Sequence, residues 1–399
     1  MRLAHLTAAV LAILGGLQGG FQRYLEAAEL IVSDRITNRI LAYPYDLVTG
    51  LTTGGAAREL VANDPELAEP TALAIGAGND LFVASRSTGR VHRYDLVTGA
   101  PIGVNGVFIE PTDPNLGGAA GLAYDGANNR LYVSKFGSPL ALSLIQTYDA
   151  TSGAHLPAED IVAGRPGWRT GLAIDTGGNL YVNSFSNEGF TGGGESGAVL
   201  RFAAGNFAAA PTELLAGDGI PLNSIDSAGQ GIYIDGLNGL ALGDGGDVYA
   251  ASLFGQEVLK LNGNNPPPVS VIGSSPFDFP VLGDLPPYLV YPSGVLIDGD
   301  GNLLVSTLGN DRVAGAGDPI YGTNRIFGNI QKFAPDGVFL GIVPTPLDAL
   351  NLSPAINSFQ PTSMLISPVP EPSTLALIGW AAGACAGRRF RKHRSIYRS

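Results

Sequence analysis

Between Glu29 and Ile366 the chain alternates short apolar runs with clusters of glycine, asparagine, aspartate and proline, and the pattern returns roughly every 50 residues. Three runs recur in a fixed order. The first reads PTALAI (70–75), AAGLAY (119–124), RTGLAI (169–174), LNGLAL (237–242), PSGVLI (292–297) and PTSMLI (361–366). The second reads LIVSD (30–34), LFVAS (81–85), LYVSK (131–135), LYVNS (180–184), VYAAS (248–252) and LLVST (303–307). The third reads ILAY (40–43), VHRY (91–94), IQTY (145–148), VLRF (199–202), VLKL (258–261) and IQKF (330–333). All are short, β-prone and bounded by turn formers, which predicts strands.

The links between first and second runs include DGANNR (125–130), DTGGN (175–179) and DGDGN (298–302). Glycine and asparagine there tolerate the positive φ of a tight hairpin turn, and aspartate caps its own turn. After the third run come DLVTG (46–50 and 95–99) and DATSG (149–153), turns that lead to a less regular outer strand. Each unit therefore predicts a four-stranded antiparallel blade, and the period predicts an all-β, single six-bladed β-propeller. The order of runs adds a prediction about closure. The chain opens on a second run at Leu30 and ends on a lone first run at Pro361. The two balance if the C-terminal strand completes the N-terminal blade, which locks the ring and hides its edges. The expected division is 1–28 secretory signal peptide, 29–366 propeller and 367–399 sorting tail.

The repeat resembles the NHL family of propeller units, written P-x-G-L-A-I-D-x-x-G-N-L-Y-V. The best matches are RTGLAIDTGGNLYVNS (169–184) and PSGVLIDGDGNLLVST (292–307). The resemblance implies an architecture, and function must be argued from sites on it.

The two ends differ from the body. Met1-Arg2 precedes a twelve-residue apolar run, Leu6 to Leu17, which reads as a secretory signal too short to span a membrane. Ala27 and Ala28 offer small residues for cleavage. At the other end, Val369-Pro370-Glu371-Pro372 is followed by a thirteen-residue apolar stretch, Leu375 to Gly387. Then come Arg388, Arg389 and further cations. This ordered triplet resembles the PEP-CTERM sorting signal of exported bacterial proteins. The resemblance implies recognition by an exosortase-type membrane enzyme, transient membrane association through the tail as a short apolar helix, and delivery to the outer surface. It leaves open whether the mature protein is anchored or released.

Charge bounds the partners. The whole chain carries −12, but six of its 23 basic residues lie in the last dozen positions. Without residues 1–27 and the tail, 15 basic residues face 33 acidic ones, a net charge of −18. Such a body repels phosphate backbones and excludes nucleic acid as a partner. The sole cysteine, Cys385, lies in the tail, so the body has neither disulfide framework nor thiol nucleophile.

Candidate chemistry is sparse. The second position of the first run holds Thr71, Ala120, Thr170, Asn238, Ser293 and Thr362. If these line the channel mouth, Thr71, Thr170, Asn238, Ser293 and Thr362 offer hydroxyls and one amide for a polar ligand, but no charged metal ligand or general base. Asn238-Gly239-Leu240 resembles the N-G-L of calcium-dependent lactonases of the regucalcin and gluconolactonase type, whose asparagine contacts the metal. The aspartate that such a family places in the next blade is Ser293 here. Lyases on related propellers need several histidines, and the body has His92 and His155, read as ordinary strand or surface residues. DGDGN (298–302) reads as a turn and not as a calcium loop, because its twelfth position, Gly309, lacks the closing glutamate. Insertions at 186–197, 262–291 and 309–328 interrupt the repeat and are the expected loops for binding.

The sequence thus predicts an exported binding or scaffolding protein of the cell envelope or extracellular matrix, recognising polysaccharide or a surface protein. It assigns no catalytic residue and no cofactor. The alternative is a calcium-dependent lactonase or hydrolase of the same fold.

Overall fold

A computed structural model describes residues 27–368, apart from 48, 53–56, 63, 112–117, 137–143, 163–167, 186–196, 217–223, 226–230, 233–235, 254–255, 263–269, 273–288, 290, 311–325 and 344–360. In blade one, β1 (Ala27–Asp34) pairs with β2 (Arg39–Asp46), which also carries the short β3 (Leu51–Thr52) and β4 (Arg58–Val61). Blade two is β5 (Pro70–Ile75), β6 (Asp80–Ser85), β7 (Val91–Asp95) and β8 (Val107–Ile109). Blade three is β9 (Gly118–Asp125), β10 (Arg130–Phe136), β11 (Leu144–Asp149) and β12 (Ile161–Val162). Blade four is β13 (Trp168–Ile174), β14 (Leu180–Phe185), β15 (Ala198–Phe202) and β16 (Thr212–Ala216), followed by a separate hairpin of β17 (Ser224–Ile225) and β18 (Gly231–Ile232). Blade five is β19 (Leu237–Leu242), β20 (Asp247–Ser252), β21 (Glu257–Asn262) and β22 (Ser270–Ile272). Blade six is β23 (Pro292–Ile297), β24 (Leu303–Thr307), β27 (Ile330–Phe333) and β28 (Phe339–Val343). Its inserted hairpin is β25 (Gly309–Asn310) and β26 (Ile326–Phe327). Finally β29 (Pro361–Pro368) returns to pair with β1.

The fold is therefore the expected six-bladed, antiparallel propeller, closed by a C-terminal strand in the N-terminal blade. The closing ladder runs from Asp34 opposite Pro361 to Ala28 opposite Pro368. Ala28 is buried, so β1 reaches two residues before Glu29 and β29 two residues past Ile366. The 262–291 insertion contributes β22, the outer strand of blade five, and the 309–328 insertion begins and ends in the β25–β26 pair. Residues 186–196 and the tail from Val369 onward lie outside the described residues. Among the described residues no helix is long and apolar enough to cross a membrane.

The core explains why the second run is apolar at nearly every position. Each second strand has both faces covered by neighbouring blades, so successive side chains feed different clusters. Leu81 and Val83 pack toward blade one with Ile31, Ile40 and Leu365, while Phe82 and Ala84 pack toward blade three with Leu131, Val133 and Tyr148. Leu131 and Val133 face back to blade two, and Tyr132 faces blade four beside Leu180 and Val182. The same handover continues around the ring to the seam, where Leu304 and Ile330 of blade six meet Leu30, Val32 and Met364 of blade one. Six clusters fill six interfaces, and no blade buries its own faces alone.

The turns follow their sequence signals. Asp95 accepts from the amides of Val97 and Thr98 and from the Thr98 hydroxyl, and Asp149 repeats this with Thr151 and Ser152. Asp298 accepts from the amides of Asp300 and Asn302, so DGDGN is a capped hairpin turn.

Candidate functional site

All six inner strands, β5, β9, β13, β19, β23 and β29, break register against their partners near the same place. The position skipped by the ladder holds Thr71, Ala120, Thr170, Asn238, Ser293 and Thr362. The column picked out from the sequence is thus a column of β-bulges, which re-aim a side chain and free a backbone amide.

The side chains of this column point from each blade into the next. Thr362 Oγ1 donates to the Pro70 carbonyl at 2.7 Å, and Thr71 Oγ1 to the Ala119 carbonyl at 3.0 Å. Thr170 Oγ1 donates to the Leu237 carbonyl at 2.6 Å. Asn238 Nδ2 donates to Ser293 Oγ at 2.9 Å, and Ser293 Oγ to the Thr362 carbonyl at 3.4 Å. Blade three has Ala120 in the column, and its link comes from the adjacent strand, where Ser134 Oγ donates to the Thr170 carbonyl at 3.0 Å. The six links run in one direction and return to their start. Thr170, Ser293 and Thr362 are buried, while Thr71 and Asn238 are half-buried.

A second set of residues, not singled out in the sequence, supports the bulges. Ser33, Ser134 and Ser306 occupy the fourth position of the second run, and their hydroxyls accept from the amides of Ser363, Gly121 and Gly294 at 3.0, 2.8 and 2.8 Å. Asn183, in the same position, donates to the carbonyls of Asn238 and Gly239. These are the groups that a bulge leaves without a ladder partner, and burial makes an unpaired one costly. A polar residue recurring inside an otherwise apolar run was the signal for them. The glycine of the GLA motif has a steric origin in the same place. A Cβ on Gly171 would lie 2.4 Å from the Asn238 carbonyl oxygen, and one on Gly121 would lie 1.8 Å from that of Thr170. The next blade's backbone occupies the space of a side chain.

The arrangement offers hydroxyl and carbonyl oxygens but no acid, base or nucleophile pair. Asn238, where the lactonase resemblance implies a metal contact, is turned to Ser293 Oγ. Among the described residues no three His, Cys, Asp or Glu side chains gather to hold a metal ion. The residues present do not fit a calcium centre at this belt.

Of the two histidines, His155 contacts Asp160 through Nε2 at 3.0 Å. His92 is 0% exposed and stacks on Tyr94. Burial lowers its pKa against the opposing pull of Asp64, whose carboxylate lies 4.0 Å away. The seam between blades six and one holds a buried ion pair: Lys332 Nζ lies 3.0 Å from Asp298 Oδ2, with side-chain exposures of 4% and 3%. Lys332 also donates to the Gly50 carbonyl, and the Tyr45 hydroxyl donates to Asp298. Burial raises the Asp298 pKa, but hydrogen bonds from Lys332 and Asn302 outweigh it and hold the carboxyl below the usual range.

Comparison with known proteins places this geometry. A family model described as the PEP-CTERM protein-sorting motif matches residues 368–392. None of the curated proteins matches the chain in sequence. Among solved structures, a chain of a nidogen/laminin complex is similar over 85% of this chain and 98% of its own, with 14% identity and a TM-score of 0.57. A protein of unknown function from Bacteroides caccae is similar over 86% and 99%, with 12% identity and a TM-score of 0.50. A gluconolactonase from Xanthomonas campestris covers 80% and 85%, with 16% identity and a TM-score of 0.47. At these identities the likeness shows the fold alone. The chain is a six-bladed β-propeller that carries a PEP-CTERM protein-sorting motif, the mark of an exported, surface-directed protein sorted by an exosortase.

Proposed function

We propose that this protein is a binding or scaffolding propeller of the cell envelope or extracellular matrix, recognising polysaccharide or a surface protein after an exosortase-type enzyme has handled its tail. The observation that carries the reading is the junction at Pro368. That residue ends the ring-closing strand, opposite Ala28, and begins the matched sorting motif. The recognition domain is therefore complete before the address begins, as a detachable address requires. Val369, Pro370, Glu371 and Pro372 form the recognised motif, and Arg388 and Arg389 start the cationic stop beyond the apolar stretch. Within the ring, Thr71, Thr170, Ser293 and Thr362 commit their hydroxyl hydrogens to neighbouring blades. The half-buried Thr71 and Asn238 are the members of the column left open to a ligand, and their oxygens suit hydroxyl-rich or amide-bearing partners.

The test is fractionation of cells expressing the full chain with and without an exosortase. Delivery to the surface or medium is expected only with the enzyme, and is expected to fail when Pro370, Glu371 and Pro372 are all replaced by alanine. Equal distribution in all three cases would overturn the reading.

A further inference from the structure

Between blades three and four, beside the β9–β10 and β13–β14 turns, lies a cleft of about 740 Å³. That volume is within the range of small-ligand sites, about 300–1,000 Å³. Three aromatic rings line it: Tyr124 and Tyr132 from blade three, and Phe207 from the segment after β15. Tyr132 and Phe207 meet edge to face, with centroids 5.7 Å apart. Tyr132 is 4% exposed, yet its hydroxyl has no hydrogen-bond partner among the described residues. Its ring is buried while its hydroxyl opens on the cleft, free to accept from a group supplied from outside.

The electrostatics narrow the choice. Asp125 and Asp175 occupy equivalent turns of the two blades and both line the cleft. Their donors among the described residues are neutral: backbone amides, the side-chain amides of Asn128 and Asn179, and the Tyr181 hydroxyl. Neither is held in an ion pair among the described residues. Glu159 is already held by Arg130 through two contacts of 2.6 and 2.9 Å, and Asp160 by His155. With Arg130 counted, the lining side chains sum to −3. The field reaches the cleft wall: burial, reinforced by Asp125 and Glu159, pushes the Tyr132 phenol up to about 12.

We propose that this cleft binds an arginine side chain presented by a basic segment of a partner protein. The guanidinium is planar, weakly hydrated and rich in donors, so it can stack on the aromatic rings, reach both aspartates and donate to the Tyr132 hydroxyl oxygen. A net charge of −3 repels acidic polymers and offers an uncharged one no electrostatic gain. The inference rests on the recognition half of the proposed function and gives it a chemistry. It is independent of delivery, which the fractionation test reads separately.

Calorimetric titration of the purified full chain with a capped tetra-arginine peptide tests it. The expected result is one-to-one binding that weakens about tenfold in Asp175→Asn and in Phe207→Ala, and falls as salt rises. Tyr132→Phe is expected to weaken binding severalfold with an unchanged melting midpoint, since the lost hydroxyl has no internal partner. No binding, or several weak sites indifferent to all three substitutions, would overturn the proposal. So would a neutral oligosaccharide such as maltohexaose that displaces the peptide at equal affinity.

Discussion

The hydroxyls of Ser33 and Thr362 lie 2.9 Å apart in a buried contact, although 329 residues separate them in sequence. This contact joins the first and last strands of the ring, where Met364 packs into the core of the seam and Leu365 into that of the next interface. A chain ended after Gln360 loses both side chains, worth about 1.5–3 kcal/mol each, and bares the edge of β1. Thermal melting followed by circular dichroism is expected to lose its single cooperative transition. A chain ended after Pro368 is expected to melt like the full-length protein, and equal loss in both would show that β29 does not close the ring.

The bulge belt makes a graded prediction. Thr170→Val keeps the shape but removes the donor to the Leu237 carbonyl, at a cost of about 1–2 kcal/mol. Gly171→Ala places a methyl against the Asn238 carbonyl 2.4 Å away, and overpacking against backbone costs about 1–3 kcal/mol. Denaturant midpoints should fall in both variants. Unchanged midpoints would mean that the belt contributes nothing to stability.

Lys332→Met strands the Asp298 carboxylate in the seam, and breaking a buried pair from one side costs about 3–5 kcal/mol. Adding Asp298→Asn to that variant is expected to recover part of the loss. In the wild type, the lowered pKa of Asp298 supplies stability that is fully present above the ordinary carboxylate range. It drains away as the pH falls from that range through the lowered folded value. Urea midpoints of the two variants and the parent, at pH 7 and below pH 4, read both effects.

His92 gives a second, separate window. Its folded pKa lies below the ordinary 6.5, so the unfolded chain takes up the proton first. Stability is complete above pH 6.5 and declines as the pH falls from there toward the lowered value. Asp64 and Glu66 pull the other way and Arg90 adds to the effect of burial. Replacing His92 with phenylalanine should flatten the denaturation midpoint between pH 8 and pH 5.5. A wild-type profile already flat in that interval would refute the assignment.

Most of the ring was legible because a blade must repeat its hydrogen-bonding strands and turns at a constant spacing. The runs at 81–85 and 131–135 open on three apolar residues because both faces are covered, and that constraint is written in each repeat. The column at Thr71 and its counterparts was legible as a column, but its direction was not. Whether a threonine looks into the channel or into the next blade depends on a bulge, and a bulge leaves no mark in hydrophobic periodicity. The outer strands, such as Phe339–Val343 with Leu340 and Ile342 exposed, are anchored on one side only and carry a weaker pattern. The aromatic cleft joins residues from two neighbouring repeats. Only the assembled ring brings them together.

The pairing of Ala28 with Pro368 also fixes how the body can hang. The segment before residue 27 and the segment after residue 368 leave the ring from one corner of one blade. Blade one is the part of the ring nearest to both segments, and the acidic cleft of blades three and four opens beside the β9–β10 turn, which lies at the same end of its blade as the Ala28–Pro368 break does in blade one. Removing either segment cuts the chain at that same corner of blade one.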